Sequence, residues 1–171
     1  MPDPSVPPEA AQSLPYRPCA GVMLINATGR VFVGQRMDST LEAWQMPQGG
    51  IDPGEDALAA AIRELGEETG VAPEHVELVA TADGEFTYDL PPEMIGKVWR
   101  GKWRGQTQRW FLFRFTGEDS DINIRTAHQE FRAWRWIDPE DLPRLIVPFK
   151  RELYEAVLAA FRSHLAATPA R

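Results

Sequence analysis

The sequence is poor in cysteine and has no long apolar run. A single cysteine, Cys19, excludes an internal disulfide framework and is typical of a protein from a reducing compartment. Because Cys19 lies beside an apolar stretch, we expect a core residue rather than a nucleophile. No apolar run approaches the roughly 20 residues that a membrane-spanning helix needs, and the N-terminus lacks a secretory signal pattern. We therefore expect a cytoplasmic protein without a membrane partner.

Basic residues are also in deficit. The chain has 18 Lys and Arg against 25 Asp and Glu, a net charge of −7. Proteins that grip long nucleic acid by its phosphates are usually basic, so binding to an extended duplex is not expected. A short nucleic-acid end could still be held by a local basic patch.

The length of 171 residues suits one domain with its own core. Residues 1–13 are Pro-rich and polar, which predicts a disordered tail, followed by one domain over 14–165 and a short tail over 166–171. Helix and strand patterns occur in mixed order, which predicts an α/β fold. The predicted strands cover residues 20–26, 31–36 (after a turn at 27–30), 75–82, 85–90, 108–115 and 131–137, and the predicted helices about 56–69 and 149–164.

One segment, residues 49–71, reads GGIDPGEDALAAAIRELGEETGV. Its helical part places Glu64, Glu67 and Glu68 at i, i+3 and i+4, within roughly 100° of one helix face. Three like charges repel each other there, so the helix gains no stability from them. A hard divalent cation such as Mg²⁺, which prefers carboxylate and phosphate oxygens, would explain them.

A Glu-rich helix face is more often simply solvated surface. Here the flanking residues favour a built site. Leu58, Ile62 and Leu65 recur at helical spacing as a separate stripe that we expect to face the core. A Gly- and Pro-rich turn precedes the helix, and Gly70 can end it in the left-handed conformation.

This segment resembles the Nudix box: Gly, five residues, Glu, seven residues, then Arg-Glu-apolar-x-Glu-Glu-x-Gly-apolar. Nine positions match, which makes the signal specific. The resemblance implies an α/β/α sandwich with a mixed sheet between helices. It also implies a metal-dependent enzyme that cleaves phosphoanhydride bonds in derivatives of nucleoside diphosphates. The matching residues are Gly49, Glu55, Arg63, Glu64, Leu65, Glu67, Glu68, Gly70 and Val71.

The resemblance implies metal ligands and catalytic residues at Glu64, Glu67, Glu68 and Glu130, with Mg²⁺ expected and Mn²⁺ as the alternative. For Glu130 the alternative is an exposed loop carboxylate. The general base stays open among Glu64, Glu68 and Glu130. Glu55 and Arg63 are expected to orient the box by pairing, as their family counterparts do.

Segments outside the box (16–26, 44–50, 105–113, 130–136 and 147–154) resemble the bacterial RNA pyrophosphohydrolase branch of the family. Related enzymes remove pyrophosphate from triphosphorylated RNA 5′ ends, which implies 5′-triphosphorylated RNA as substrate. Closely similar sequences are described as dinucleoside polyphosphate hydrolases, so a dinucleoside polyphosphate is the alternative. A non-catalytic binding module is the minor alternative, disfavoured by the intact box. Either a monomer or a small homo-oligomer fits. The implied substrate contacts are Arg17, Arg36, Gln48, Val147, Phe149 and Lys150.

Two segments depart from the branch pattern. Residues 39–43, STLEA, are a few residues longer than expected. Residues 95–105, IGKVWRGKWRG, interleave basic residues with Trp99 and Trp103, which could hold phosphates and stack a base. Our hypothesis is that this loop contacts RNA beyond the first nucleotide. The alternative is a solvated loop whose tryptophans fold onto the core.

Overall fold

A computed structural model describes residues 13–38 and 42–166. Within them, a mixed eight-stranded sheet forms the centre of the molecule, with β1 and β7 parallel and the other pairs antiparallel. The main path is β3-β2-β1-β7-β5, while β4 pairs with β1, β6 with β7 and β8 with β2. The strands are β1 Tyr16–Ile25, β2 Val31–Arg36, β3 Trp44–Gln45, β4 Gln48–Gly50, β5 Val76–Thr81, β6 Phe86–Asp89, β7 Gly105–Phe115 and β8 Phe131–Ile137.

Two separate apolar cores cover the two faces of this sheet. Helix α1 (Ala57–Thr69) packs on one face, where Ala60, Ala61 and Leu65 are buried with alternate residues of β1 and β7. Helices α2 (Leu142–Leu145) and α3 (Arg151–Ala166) pack on the other face. Alternating side chains of a buried strand supply both cores, because successive Cβ atoms point to opposite faces. The expected α/β/α sandwich is confirmed.

The ends of α1 follow the local chemistry of the sequence. The Asp56 carboxylate accepts from the Ala59 amide at 3.2 Å, so Asp56 caps the helix rather than beginning it. Gly70 ends α1 at φ 72°, as the sequence predicted. Of the expected core stripe, Leu65 is buried, whereas Leu58 and Ile62 are half-buried against the same core.

Several boundaries differ from the sequence prediction. Strands β1 and β7 begin at residues 16 and 105 rather than 20 and 108, because they pair in parallel from Tyr16–Gly105 to Ile25–Arg114. Polar residues at the start of both strands interrupt the apolar pattern from which the strands were predicted. Strands β3 and β4 and helix α2 were not predicted, since each is too short to show a period.

The last helix also begins later than predicted. Residues Pro148–Lys150 form a 3₁₀ turn, and α3 starts at Arg151. The predicted tails fall almost wholly outside the described residues, as do 39–41 of the lengthened segment. No helix in the described part of the chain is long and apolar enough to cross a membrane.

Candidate active site

Where β4 and α1 meet, the backbone of β4 lies against a carboxylate of α1. A Cβ atom on Gly49 would lie 2.1 Å from Cδ of Glu64, so a side chain at this position would displace the Glu64 carboxylate. β4 is held by antiparallel pairing with β1, where Gly49 lies opposite Ala20. The first helical glutamate of the site therefore lies against a strand of the central sheet.

Arg63 organises the start of α1. Its guanidinium donates to both carboxylate oxygens of Glu55, each at 2.8 Å, and to the Gly50 carbonyl at 2.9 Å. It also donates to Glu64 at 2.9 Å and to Glu67 at 3.2 Å. The Arg63 hydrogen bonds lower the pKa of Glu55 to about 2, and the Glu55 hydrogen bond is the largest cause raising the pKa of Arg63. The expected Glu55–Arg63 pair is present.

Glu68 is the buried carboxyl of the site, with 5% of its surface exposed. One oxygen accepts from the Gln48 amide at 3.2 Å. Burial raises the pKa of Glu68 well above its ordinary value, and the charges of Glu64 and Glu130 raise it further. An ionised carboxyl so placed is costly unless a cation offsets its charge.

A cleft of about 400 Å³, here called the acidic cleft, collects most of the predicted site. Its walls contain all four predicted carboxylates, Glu64, Glu67, Glu68 and Glu130. They also contain four of the six predicted substrate contacts, Arg17, Arg36, Gln48 and Lys150. Glu67 and Glu130 are exposed, whereas Glu64 is half-buried. Residues from six separate stretches of sequence thus meet around one acidic centre.

The donor set suits a hard divalent cation, because it consists of carboxylate oxygens around one cleft. As the side chains stand, no three acidic, histidine or cysteine residues within 13–38 and 42–166 are grouped to hold a metal ion. The hydrogen bonds of Arg63 to Glu64 and Glu67 account for part of this arrangement. Glu130 is exposed, and an exposed side chain changes rotamer readily.

The two remaining substrate contacts, Val147 and Phe149, lie in a second space of about 360 Å³, here called the aromatic compartment. It shares Arg36, Gln45, Trp99 and Lys150 with the acidic cleft, so the two are joined. Phe149 is 38% exposed, which is unusual for a large apolar side chain and leaves a face for a ligand.

Lys150 lies at the boundary between these two spaces. Its ammonium nitrogen is 5.3 Å from the ring centre of Tyr88 and 5.8 Å from that of Phe149. Loss of water around the ammonium, together with the charge of the nearby Arg36, lowers the pKa of Lys150 to about 8. A cation between aromatic rings suits a ligand with both phosphates and a base.

Three further residues line these spaces, and no motif in the sequence indicated a role for them: Gln45, Tyr88 and His128. The Tyr88 hydroxyl is buried and has no hydrogen-bond partner among the described residues. Its strand was predicted, but nothing in the alternation marked Tyr88 as facing a ligand space. Such residues come from elements far apart in sequence, so only the fold brings them together.

The basic segment 95–105 contributes tryptophan rather than charge to the acidic cleft. Trp99 lines both spaces, while Lys97, Arg100 and Lys102 are exposed and are not among the lining residues. Arg104 is bound to Asp89 at 2.9 Å. The tryptophans are half-buried, so the structure combines features of both interpretations of this loop.

Comparison with known proteins identifies the class. The NUDIX domain family model matches residues 15–157, and the chain therefore belongs to the Nudix domain family. It is 66% identical over 148 residues to an RNA pyrophosphohydrolase of Sphingopyxis alaskensis, covering 86% of this chain and 94% of that protein. It is 60% identical over 158 residues to the RNA pyrophosphohydrolase of Roseobacter denitrificans, covering 92% and 99%.

Solved structures support the fold. The Ap4A hydrolase of C. elegans, in a binary complex, superposes with a TM-score of 0.66 at 22% identity, covering 88% of this chain and 98% of that one. The dihydroneopterin triphosphate pyrophosphohydrolase of E. coli gives 0.65 at 22% identity, covering 85% and 98%. At this identity the likeness concerns the fold alone.

Proposed function

We propose that this protein removes pyrophosphate from the 5′-triphosphate end of RNA and leaves a 5′-monophosphate. This step would initiate messenger RNA decay in the cytoplasm. The observation that carries the proposal is the joining of the acidic cleft to the aromatic compartment through Arg36 and Lys150. Such a site can hold a phosphate chain and a base at once. Relatives named RNA pyrophosphohydrolase, 60% and 66% identical over nearly their whole length, support the same substrate.

The chain's own residues supply positioning and charge. Arg17, Arg36 and Lys150 balance the negative charge of the triphosphate where they line the acidic cleft. Phe149 and Val147 pack against a base in the aromatic compartment. Hydrolysis adds a water oxygen to a phosphorus of the triphosphate, breaks the anhydride bond between the α- and β-phosphates and releases pyrophosphate. The water proton passes to one of the carboxylates Glu64, Glu68 or Glu130.

Mg²⁺ is the proposed cofactor, with Mn²⁺ as a substitute, and Glu64, Glu67, Glu68 and Glu130 would hold it. The donor chemistry fits, because a hard cation prefers carboxylate and phosphate oxygens. Such a cation supplies charge neutralisation for the phosphates and activates water. It would also offset the burial of the Glu68 carboxylate.

The experiment follows the RNA end. Purified protein with Mg²⁺ receives triphosphorylated RNA labelled in its γ-phosphate, which reports released pyrophosphate, and a 5′-monophosphate-dependent exonuclease reports the RNA product. We expect pyrophosphate release and exonuclease-sensitive RNA, with both lost in Glu64→Gln and on chelation of the metal. Glu74→Gln, at an exposed position outside the cleft, is the matched control. Intact triphosphate ends with the unaltered protein would overturn the proposal.

A further inference from the structure

Three glutamine side chains beside the acidic cleft form one hydrogen-bonded group. Gln106 and Gln108, both on β7, are each 1% exposed, and Gln48, on β4, is half-buried. The amide nitrogen of Gln108 lies 2.6 Å from the side-chain oxygen of Gln106 and 3.5 Å from that of Gln48. Gln48 and Gln106 line the acidic cleft, whereas Gln108 lies behind them and is not a lining residue. Burying amides is costly unless their polar atoms have partners, so this group calls for a physical reason.

Trp110 anchors the group in the apolar core. Its indole N–H lies 2.8 Å from the side-chain oxygen of Gln108. An indole N–H can only donate, so the Gln108 amide must present its oxygen to Trp110 and its amino group to the other glutamines. The fully buried indole meets Tyr154 edge-on, with ring centres 6.1 Å apart, and a Cβ atom on Gly21 would lie 2.5 Å from its Cε2 atom. A residue outside the cleft therefore determines the orientation of Gln108.

The orientation of Gln108 in turn determines the orientation of the glutamines in the cleft wall. Its amino group has donors only, so Gln106 accepts through its carbonyl oxygen. Gln48 accepts in the same way through a longer and weaker contact. Because Gln108 engages the oxygen of Gln106, the amino group of Gln106 is the end that remains for a ligand in the acidic cleft. Trp110 thus gives this wall the character of a hydrogen-bond donor.

A neutral donor in this wall suits a phosphate chain. The carboxylates of the cleft accept hydrogen bonds and cannot donate them while ionised, so donors must come from other side chains. Arg17 lies directly beside Gln106 in the parallel register of β1 and β7, where neighbouring strands are about 4.8 Å apart. Both residues line the cleft, so they can contact one phosphate group together. A reversed Gln106 amide would instead present a carbonyl oxygen, which repels phosphate oxygens.

We infer that Gln106 binds a phosphate oxygen of the substrate through its amino group, and that Trp110 and Gln108 are positioning residues that hold Gln106 in this orientation. The inference rests on the proposed function, because a phosphate chain must occupy the acidic cleft. Gln106 adds a directional contact without adding charge, so it selects for the position of an acceptor atom. Trp110 acts through two hydrogen bonds and does not touch the substrate.

The kinetic test separates Gln106 from the residues that orient it. In pyrophosphate release from triphosphorylated RNA, Gln106→Met should raise KM about tenfold with little change in kcat, as the loss of one hydrogen bond to a charged group predicts. Trp110→Phe keeps a ring but removes the N–H, so both amide orientations become available and KM should rise about threefold through lost preorganisation. Trp136→Phe should leave KM unchanged and is the matched control, because that indole N–H donates to Asp119 at 3.0 Å, outside the acidic cleft and the aromatic compartment.

A double variant distinguishes orientation from folding. If Trp110 acts through Gln106, Trp110→Phe should have little further effect on KM in the Gln106→Met background, although it lowers the melting temperature in both backgrounds. Gln108→Met interrupts the same hydrogen bonds and should behave like Trp110→Phe, so it replaces that variant if Trp110→Phe does not fold. An unchanged KM in Gln106→Met, independent effects in the double variant, or an equal rise of KM in Trp136→Phe would overturn the inference.

A binding readout does not depend on RNA turnover. In a ¹⁵N spectrum, the side-chain amide signals of Gln106, assigned by their loss in Gln106→Met, should shift when α,β-methylene ATP and Mg²⁺ are added. The shift should be smaller in Trp110→Phe. Absence of pyrophosphate release from RNA by the unaltered protein would contradict the proposed function. Gln106 signals that stay in place when this triphosphate binds would contradict the inference alone.

Discussion

At the scale of single residues, Arg63 holds the start of α1 in place. Its side chain is 31% exposed and binds carboxylates on both sides, Glu55 before the helix and Glu64 and Glu67 within it. The bidentate contact with Glu55 is the strong kind, because a planar guanidinium matches a carboxylate. This residue therefore links the loop after β4 to the acidic face of α1.

The Glu55–Arg63 pair predicts a pH dependence of stability. The folded pKa of Glu55 is about 2, below its ordinary value of 4.5, so the folded state prefers the ionised carboxylate. The stabilisation is complete above about pH 5 and is lost as pH falls from 4.5 towards 2. We expect the difference in free energy of unfolding between the unaltered protein and Glu55→Gln to shrink over that interval. Urea unfolding at several pH values measures it, and a difference that stays constant would contradict the assignment.

Glu68→Gln should separate activity from stability. The amide keeps an oxygen that can accept from the Gln48 N–H, and it removes a buried carboxylate that lies near other negative charges. We therefore expect turnover to fall at least a hundredfold, while the melting temperature measured with a chelator stays equal or rises. Retained turnover, or a melting temperature many degrees lower, would count against the role of Glu68.

At the scale of elements, the close approach of β4 to α1 determines the site. Gly49→Ala would place a Cβ 2.1 Å from Cδ of Glu64 and displace that carboxylate, so we expect turnover to fall, while the melting temperature changes little because the end of a side chain can move. Gly66→Ala is the control within the same motif, because a Cβ there meets nothing nearer than the Val71 carbonyl at 3.5 Å. Helix propensity predicts that Gly66→Ala stabilises the fold by about 0.5–1 kcal/mol with activity retained. Thermal melts and turnover of both variants provide the measurement, and similar effects of the two changes would contradict this account.

The elements also show what could be predicted from the sequence. Helix α1 was predicted almost to the residue, because its cap at Asp56 and its end at Gly70 depend on local chemistry. Strands β3 and β4 escaped prediction because their pairing with β2 and β1 defines them. The carboxylates and cations of the acidic cleft were predicted, largely from the family resemblance.

The aromatic compartment beside that cleft was predicted only in part. Val147 and Phe149 were expected to pack against a base, but Tyr88, which shares their space, was not. Tyr88 lies on β6, and its contact with Phe149, with ring centres 6.0 Å apart, joins residues 61 positions apart. No pattern within either segment indicates such a meeting.

At the scale of the whole molecule, the net charge of −7 restricts how nucleic acid can bind. The cations that line the acidic cleft are Arg17, Arg36 and Lys150. Three phosphate contacts to a single strand predict that the logarithm of the RNA affinity falls with the logarithm of salt concentration with a slope of about −2. Titrations of triphosphorylated RNA over a range of salt concentrations measure this slope. A value of about −5 would indicate extended backbone contacts and contradict recognition of the end alone.

RNA ends are the proposed main substrate of this site. The most direct measurement places triphosphorylated RNA and diadenosine tetraphosphate in one reaction with the purified protein and Mg²⁺, and follows both products to give the ratio of kcat/KM. We predict a higher kcat/KM for pyrophosphate release from RNA, with both reactions lost in Glu68→Gln. A higher kcat/KM for the dinucleotide would contradict the claim and make the protein an enzyme of small-molecule turnover.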